Sequence, residues 1–465
     1  LIESFFNQSK YVNIKNMQIE LFNTLGHKKE TFIPRKDKYV SMYHCGPTVY
    51  NTPHIGNYRT FVLADILRRV FEFNGYNVDQ VMNITDVDDK TIRGSRAENL
   101  PLKVFTQKYE KLFLEELTSL NILTPKHITR ATDYVQSMIE MIEVLLNKGI
   151  AYVANDGIYV SIEKVPNYGE LADLDLDKLS KERVANDSYD KENARDFAVW
   201  KFKTIDDGEV SWKAPFGEGR PGWHIECSAM SRAILGNTID IHTGAIDLIF
   251  PHHTNEIAQS ECATGEQFVR YWLHGAFVNI SDEKMAKSAN NFYKLSDLIE
   301  MGISPLGFRY WLLTAHYRSP VNFTEEAVIG AQTALIKMIK LIMAMPDGGK
   351  IDQIYLEKFN KEINDDLNLP KAIALAWTII SDQNISDADK KATLIRFDQV
   401  FGFNFNNLPK EKPDEIPKEI KVLAELRENA RKDKDWAKAD ALRKEINERG
   451  FDVMDSGDNF KIVER

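Results

Sequence analysis

A strand, a turn-rich run, an amphipathic helix and a second strand follow one another between residues 38 and 85. KYVSMYHC (38–45) reads as a buried strand, and GPTVYNTPHIGN (46–57) is rich in turn formers. From Tyr58 to Phe73 the apolar residues Phe61, Val62, Ile66, Leu67 and Val70 recur at helical spacing. Gly75 stops that helix, and NVDQVMNIT (77–85) is the next strand. A strand–helix–strand unit of this kind makes a parallel sheet. The expected fold class is therefore α/β, with a Rossmann-like doubly wound parallel sheet as the core.

The chain has 465 residues, which predicts three or four domains. Residues 1–16 lack the apolar core of a secretory signal, and Met17 opens MQIELFNTLG like a natural start, so 1–16 read as an extension. The first half of the sheet domain is expected at 17–125 and a connective insertion at 126–215. The second half follows at 216–280, then a loop and linking region at 281–325. Residues 102–150 look helical, and 151–215 alternate short strands with acidic loops such as LADLDLDKLSKE. From about 296 the chain reads as mainly helical, with an α-helical bundle at 326–408 and a small C-terminal domain at 416–465. Breaks fall at MPDGGK (345–350) and NNLPKEKPDEIPKE (406–419). No run of about 18 apolar residues marks a membrane span.

Three cysteines, Cys45, Cys227 and Cys262, are too few and too scattered for a disulfide framework, which points to a reducing cytoplasm. The net charge of −10 argues against a general nucleic-acid coat, while leaving room for a local basic surface.

Three short segments carry chemistry. In Pro53-His54-Ile55-Gly56-Asn57, Gly56 allows close backbone approach and the following helix N-terminus suits phosphate. His54 and Asn57 add side-chain donors. Lys284 and Lys287, three apart in KMAKS (284–288), can both reach one polyphosphate and neutralise charge as pyrophosphate leaves. The third segment pair is PGWHIECSAM (221–230) and FPHHTNEIAQS (250–260). On a helix His252 and Glu256 share a face at i, i+4, and His253 with Glu256 is an i, i+3 alternative. Cysteines from elsewhere, Cys45 at a strand end and Cys227, would complete a zinc site. The bland alternatives are an ordinary tight turn, a solvated charged loop, and two inert cysteines beside a capping histidine pair. Cys262 reads as a small buried hydrophobe.

Together these segments resemble the class I aminoacyl-tRNA synthetases, with His54–Asn57 similar to the HIGH signature and Lys284–Ser288 similar to KMSKS. CGPTVYNTPHIGN (45–57), NITDVDDK (83–90), GEGRPGWHIECSAM (217–230) and DLIFPHHTNEIAQSE (247–261) resemble the cysteinyl-tRNA synthetases in particular. The resemblance implies zinc bound by Cys45, Cys227, His252 and Glu256, and an amino-acid pocket lined by Thr85, Trp223 and Asp247. It implies ATP bound by His54, Gly56, Asn57 and Lys287, with Lys284 assisting and Mg(2+) accompanying the nucleotide. It also implies L-cysteine and tRNA(Cys) as substrates, and a C-terminal domain that reads the anticodon with Trp436 and basic side chains. A monomer is expected. The chain departs from the pattern at Asn57 and Ala286, and near the metal at Thr243, Ala245 and Thr254, where Gly, Gly and Glu are expected.

Zinc suits the task, because cysteine must be told from serine, and apolar shape alone does not supply the roughly 10⁴–10⁵-fold discrimination needed. A thiolate binds zinc far better than a hydroxyl does. Two other readings compete. A ligase joining cysteine to an amino sugar, as in a mycothiol-type pathway, would share both signatures but lack the anticodon-reading tail. A catalytically dead zinc- or RNA-binding protein would show no ATP–pyrophosphate exchange.

Overall fold

Five parallel strands form the central sheet of the computed structural model: β1 (Tyr39–His44), β2 (Asn77–Ile84), β3 (His127–Arg130), β4 (Ile239–Ala245) and β5 (Val269–Gly275). They lie in the order β5-β4-β1-β2-β3, every adjacent pair parallel. The order reverses between β1 and β4. In doubly wound sheets ligands bind at such a switch point, beyond the carboxyl ends of the strands. The structure describes residues 18–174, 196–280, 283–284, 292–405, 417–456 and 459–464.

Helix α1 (Ile55–Phe73) connects β1 to β2 and buries Phe61, Val62, Ile66, Leu67 and Val70 against the sheet. Residues 102–150 are not one helical stretch. Two helices, Leu102–Ser119 and Val135–Asn147, flank β3 at the sheet edge. Four residues, HITR, are too few and too polar to betray a strand that pairs on one side only. The insertion is correspondingly shorter at its start than 126, since β3 belongs to the central sheet. It is longer at its end than 215. Its four antiparallel strands are Ala151–Val153, Gly157–Val160, Phe197–Phe202 and Gly219–Pro221. Much of the acidic run 171–182 lies outside the described residues.

The last insertion strand feeds directly into α2 (Trp223–Leu235) through Gly222. A side chain there is forbidden, because a Cβ on Gly222 would sit 2.1 Å from the Ala198 carbonyl oxygen. After β4 comes α3 (Thr254–Thr264), then β5.

From Leu295 to Phe401 the chain is mainly helical, with helices Leu295–Glu300, Pro305–Leu313, Glu325–Ala344, Gln353–Asn364, Leu369–Ser381 and Asp387–Phe401 and one short strand, Val321–Phe323. Helix Glu325–Ala344 is long and apolar enough, by length and composition, to cross a membrane. Its Val328, Leu335, Met338 and Ile342 are nevertheless buried within the helical region. Phe359 stacks on Phe397 there, ring centroids 3.8 Å apart.

Length predicts three or four domains, whereas the chain divides into two units, residues 1–405 and 406–465. Buried polar contacts tie the helical region to the sheet. Arg309 donates to Asp65 of α1 at 2.5 Å and to the Phe401 carbonyl at 2.8 Å. The second unit holds two helices, Lys418–Lys432 and Trp436–Glu448, and an antiparallel hairpin of Phe451–Ser456 with Asn459–Glu464. Ile420, Ala424, Ile446 and Val453 form its small core.

Candidate active site and metal centre

Cys45 follows β1 immediately, at the switch point, and its backbone N–H donates to the Thr243 carbonyl of β4 at 3.4 Å. Gly46 comes next because only glycine fits: a Cβ would lie 1.6 Å from the Asn83 carbonyl oxygen. Cys227 projects from α2, and its sulfur lies 4.0 Å from that of Cys45. His252 stands in the turn Ile249–His253 rather than in α3, which begins at Thr254. The i, i+4 relation survives, with His252 Nε2 at 2.9 Å from Glu256 Oε1. Cys45, Cys227, His252 and Glu256 thus converge in the interior, their ligand atoms all within 4.8 Å of one another. His253 converges as well, and its Nε2 lies 3.4 Å from the Cys45 sulfur.

The charges are mutually dependent. Burial pushes the Glu256 carboxyl up, but His242 and His252 outweigh it and hold its pKa at about 2. Burial pushes His252 down, while Glu256 and Cys227 more than offset that and raise it to about 10. Burial drives the Cys45 thiol well above its ordinary value; burial pushes Cys227 up as well, but its hydrogen bond to Cys45 and the neighbouring His252 outweigh that and leave it below its own. Two thiols, an imidazole and a carboxylate in one buried cluster are the donor set of a tetrahedral zinc site. The buried group can hold a metal ion.

Trp223, 43% exposed, stacks on His252 with ring centroids 4.3 Å apart and so walls the metal group. Thr85 is buried, its hydroxyl donating to Glu226 at 2.8 Å. Asp247 sits on the exposed turn Ile246–Leu248 just past β4.

His54 is the N-cap of α1, and Gly56 lies in its first turn. The Asn57 side-chain oxygen accepts from the His54 backbone N–H at 3.1 Å, which leaves only its NH₂ group to donate outward. The chain returning from the lysine loop docks here. Lys294 bridges to His54, and the Ile55 N–H donates to the Tyr293 carbonyl at 2.8 Å. Lys284 lies in a two-residue strand paired with Asn279 and Ile280. Ala286 and Lys287 lie outside the described residues.

Sequence reasoning did not single out Glu226, His242, His224 or His274. Glu226 is fully buried, and burial with the adjacent Cys227 keeps its carboxyl well above the usual range. His224 Nδ1 meets His252 Nδ1 at 2.8 Å. The available signal was an unusual density of histidine around both cysteines, but a histidine on a strand reads equally well as core. Thr243 and Thr254 have structural roles: the Thr243 hydroxyl lies 2.9 Å from His44 Nδ1, and that of Thr254 donates to the Ile249 carbonyl at 2.8 Å. Cys262 is half-buried, packs against a hydrophobic cluster, and has its thiol pushed up by burial.

A doubly wound sheet whose crossover helix α1 begins beside the switch point, with Tyr293 and Lys294 docked on that helix start, is the frame of a class I aminoacyl-tRNA synthetase. Residues 31–333 match the family described as tRNA synthetases class I (C) catalytic domain, and residues 414–460 match the cysteinyl-tRNA ligase anticodon binding domain. The chain is 42% identical over 467 residues to the cysteine–tRNA ligase of Brachyspira hyodysenteriae, covering 95% of this chain and 98% of the relative. It is 43% identical over 478 residues to that of Chlamydia muridarum, covering 96% and 99%. The chain belongs to the cysteinyl-tRNA synthetases, which activate cysteine with ATP and load it onto tRNA. In fold it is similar to Mycobacterium tuberculosis methionyl-tRNA synthetase in complex with methionyl-adenylate, at TM-score 0.54 and 14% identity over 78% of this chain and 89% of that one. A LeuRS ternary complex from Agrobacterium radiobacter K84 gives TM-score 0.56 at 10% identity, over 80% and 84%. The match to an anticodon-binding domain and the near-complete coverage leave no support for the amino-sugar ligase.

Proposed function

We propose that the enzyme selects cysteine with a zinc ion held by Cys45, Cys227, His252 and Glu256, and charges tRNA(Cys). The observation that carries this reading is the buried convergence of those four side chains at the switch point, beneath the exposed Trp223. Bound there, zinc would supply preference for a substrate thiolate over a hydroxyl. Trp223 closes one wall and fixes His252 by stacking. His224 holds the other nitrogen of His252, so the ring presents its Nε2 side to the cluster. Thr85 and Asp247 complete the amino-acid pocket.

His54 and the Asn57 amide, at the positive end of α1, bind ATP phosphates from one side, with the Gly56 backbone close by. Lys287, assisted by Lys284, approaches from the other, and Mg(2+) accompanies the nucleotide. The cysteine carboxylate then attacks the α-phosphorus in line, and pyrophosphate leaves. No side-chain nucleophile is required, since positioning and charge stabilisation carry the rate. The C-terminal unit reads the anticodon, with Trp436, 60% exposed, available to stack on a base. The protein acts as a cytoplasmic monomer.

Two assays test the reading together: zinc content by atomic absorption, and ATP–pyrophosphate exchange with cysteine or serine. One zinc per chain, brisk exchange with cysteine and negligible exchange with serine are expected. Cys227→Ala should lose the zinc and the discrimination together. Appreciable seryl-adenylate formation by zinc-loaded enzyme would overturn it.

A further inference from the structure

Arg59 stands one turn into α1, at i, i+4 from Ile55. It is buried, and no carboxylate among the described residues pairs with it. Its guanidinium donates to three backbone carbonyls instead: Phe277 at 2.6 Å, His316 at 3.1 Å and Ser319 at 2.5 Å. Burial without a counter-ion lowers its pKa to about 10.

Those carbonyls lie at the base of a three-stranded sheet. Its central strand, Val278–Ile280, starts right after Phe277. On one side it pairs with Glu283–Lys284, and on the other with Val321–Phe323, which starts two residues after Ser319. The Phe277 carbonyl also accepts from the Val321 N–H at 3.1 Å, so one oxygen ties the bases of two strands to α1. Glu283–Lys284 is an edge strand, and its place follows that of Val278–Ile280. The chain leaving the lysine segment returns to the same turn of α1, where the Ile55 N–H donates to the Tyr293 carbonyl at 2.8 Å. Both stalks of the segment are thus fastened beside His54 and Asn57.

The turn 316–319 is held from its other side by Asp366. The Tyr317 hydroxyl and Arg318 Nε donate to the two Asp366 carboxylate oxygens at 2.6 Å and 2.8 Å, and His316 Nε2 donates to the Asp366 carbonyl at 2.8 Å. Asp366 and Leu367 both keep left-handed backbone, φ +54° and +56°, which residues other than glycine adopt where surrounding contacts impose it. Arg59 therefore grips a fixed point. Apolar side chains fasten elements at a lower desolvation cost than a buried cation does. What the guanidinium adds is direction, because its planar fork fixes each carbonyl it meets.

We propose that Arg59 is a positioning residue for adenylate formation, setting the sheet that carries Lys284 against the His54–Asn57 turn so that both sides reach one polyphosphate. Its loss slows pyrophosphate departure and spares zinc and cysteine binding. The inference rests on the reading above that Lys284 assists at the polyphosphate.

Arg59→Lys keeps the charge without the fork, and Arg59→Gln keeps a donor without the charge. Both are compared, in the full chain, with Lys284→Ala and with the double variant Arg59→Lys/Lys284→Ala. ATP–pyrophosphate exchange gives kcat and the KM for cysteine, and single-turnover transfer from preformed cysteinyl-adenylate to tRNA gives the second step. Both Arg59 variants should keep their zinc and a cooperative unfolding transition. Their exchange kcat should fall about 10²-fold, the loss that a ~1 Å misplacement brings, with the KM for cysteine and the transfer rate within about twofold of wild type. The double variant should be no slower than the slower single one, since both changes remove the same contribution. Additive losses, equal slowing of both steps, or loss of zinc or folding in both Arg59 variants would make Arg59 a fastening of the fold and overturn the proposal. Full-rate exchange in Lys284→Ala overturns the lysine reading and the proposal with it. A slow Lys284→Ala beside full-rate Arg59 variants overturns the proposal alone.

Discussion

At Gly46 a single hydrogen atom separates function from its loss. The residue joins Cys45 to the phosphate-side turn, and its Cα presses on the Asn83 backbone, where any Cβ would lie 1.6 Å from a carbonyl oxygen. Backbone cannot step aside as a flexible side chain does, so overpacking here costs at least about 1–3 kcal/mol. Gly46→Ala should lower stability in urea titrations and abolish cysteine-dependent exchange. Gly330 serves as the control, because it lies in an exposed helix with nothing within 4 Å of an added Cβ. Gly330→Ala should leave exchange intact and raise stability by up to about 1 kcal/mol. Equal losses in both variants would refute the steric argument. At this scale Cys45, Cys227 and Glu256 stood out in the sequence because the motifs around them are specific, and the structure brings them together. The choice between His252 and His253 was not legible there, since both rings enter the cluster from a turn whose course helical spacing does not describe.

At the scale of elements, α1 is held at its start and at its middle. Its N-terminus pairs with Tyr293 and Lys294, and its middle is gripped through Asp65. Asp65 accepts from Arg309 and Arg69 and from the Leu123 backbone, while Arg309 also binds the Leu120 and Phe401 carbonyls. Burial pushes the Asp65 carboxyl up, but the two guanidiniums outweigh it and hold it below its ordinary value. A depressed carboxyl stabilises the fold fully above its unfolded value of about 3.9, and that contribution is lost as pH falls through the folded value. Arg309→Met should therefore cost about 3–5 kcal/mol at pH 7, the range for breaking a buried pair. The gap between variant and wild type should narrow below about pH 4. Urea unfolding at neutral and acid pH measures both, and a gap independent of pH would remove the electrostatic explanation. Strands β1 and β2 and helix α1 were readable because long apolar segments announce their period. β3 was not, because its partner strand rather than its own composition makes it a strand.

At the scale of the molecule, the chain divides into a unit carrying the sheet, insertion and helical region and a C-terminal unit with its own small core. Truncation after Phe405 should leave cysteine-dependent ATP–pyrophosphate exchange near the full-length rate. Charging of tRNA(Cys) at limiting tRNA should fall at least about tenfold, equivalent to ~1.4 kcal/mol of binding. Equal loss of both activities would mean that the C-terminal unit serves the catalytic fold instead of tRNA. The sequence by itself determined the α/β class and singled out the two signature segments and the two cysteines. Those depend on local periodicity and on motifs whose chemistry is written in adjacent residues. Only the tertiary structure decided that Cys45, Cys227, His252 and Glu256 share one buried centre, and that His242, His253 and His274 surround it. Those contacts join residues up to about two hundred positions apart, brought together by the order of parallel strands, and no local pattern encodes that order.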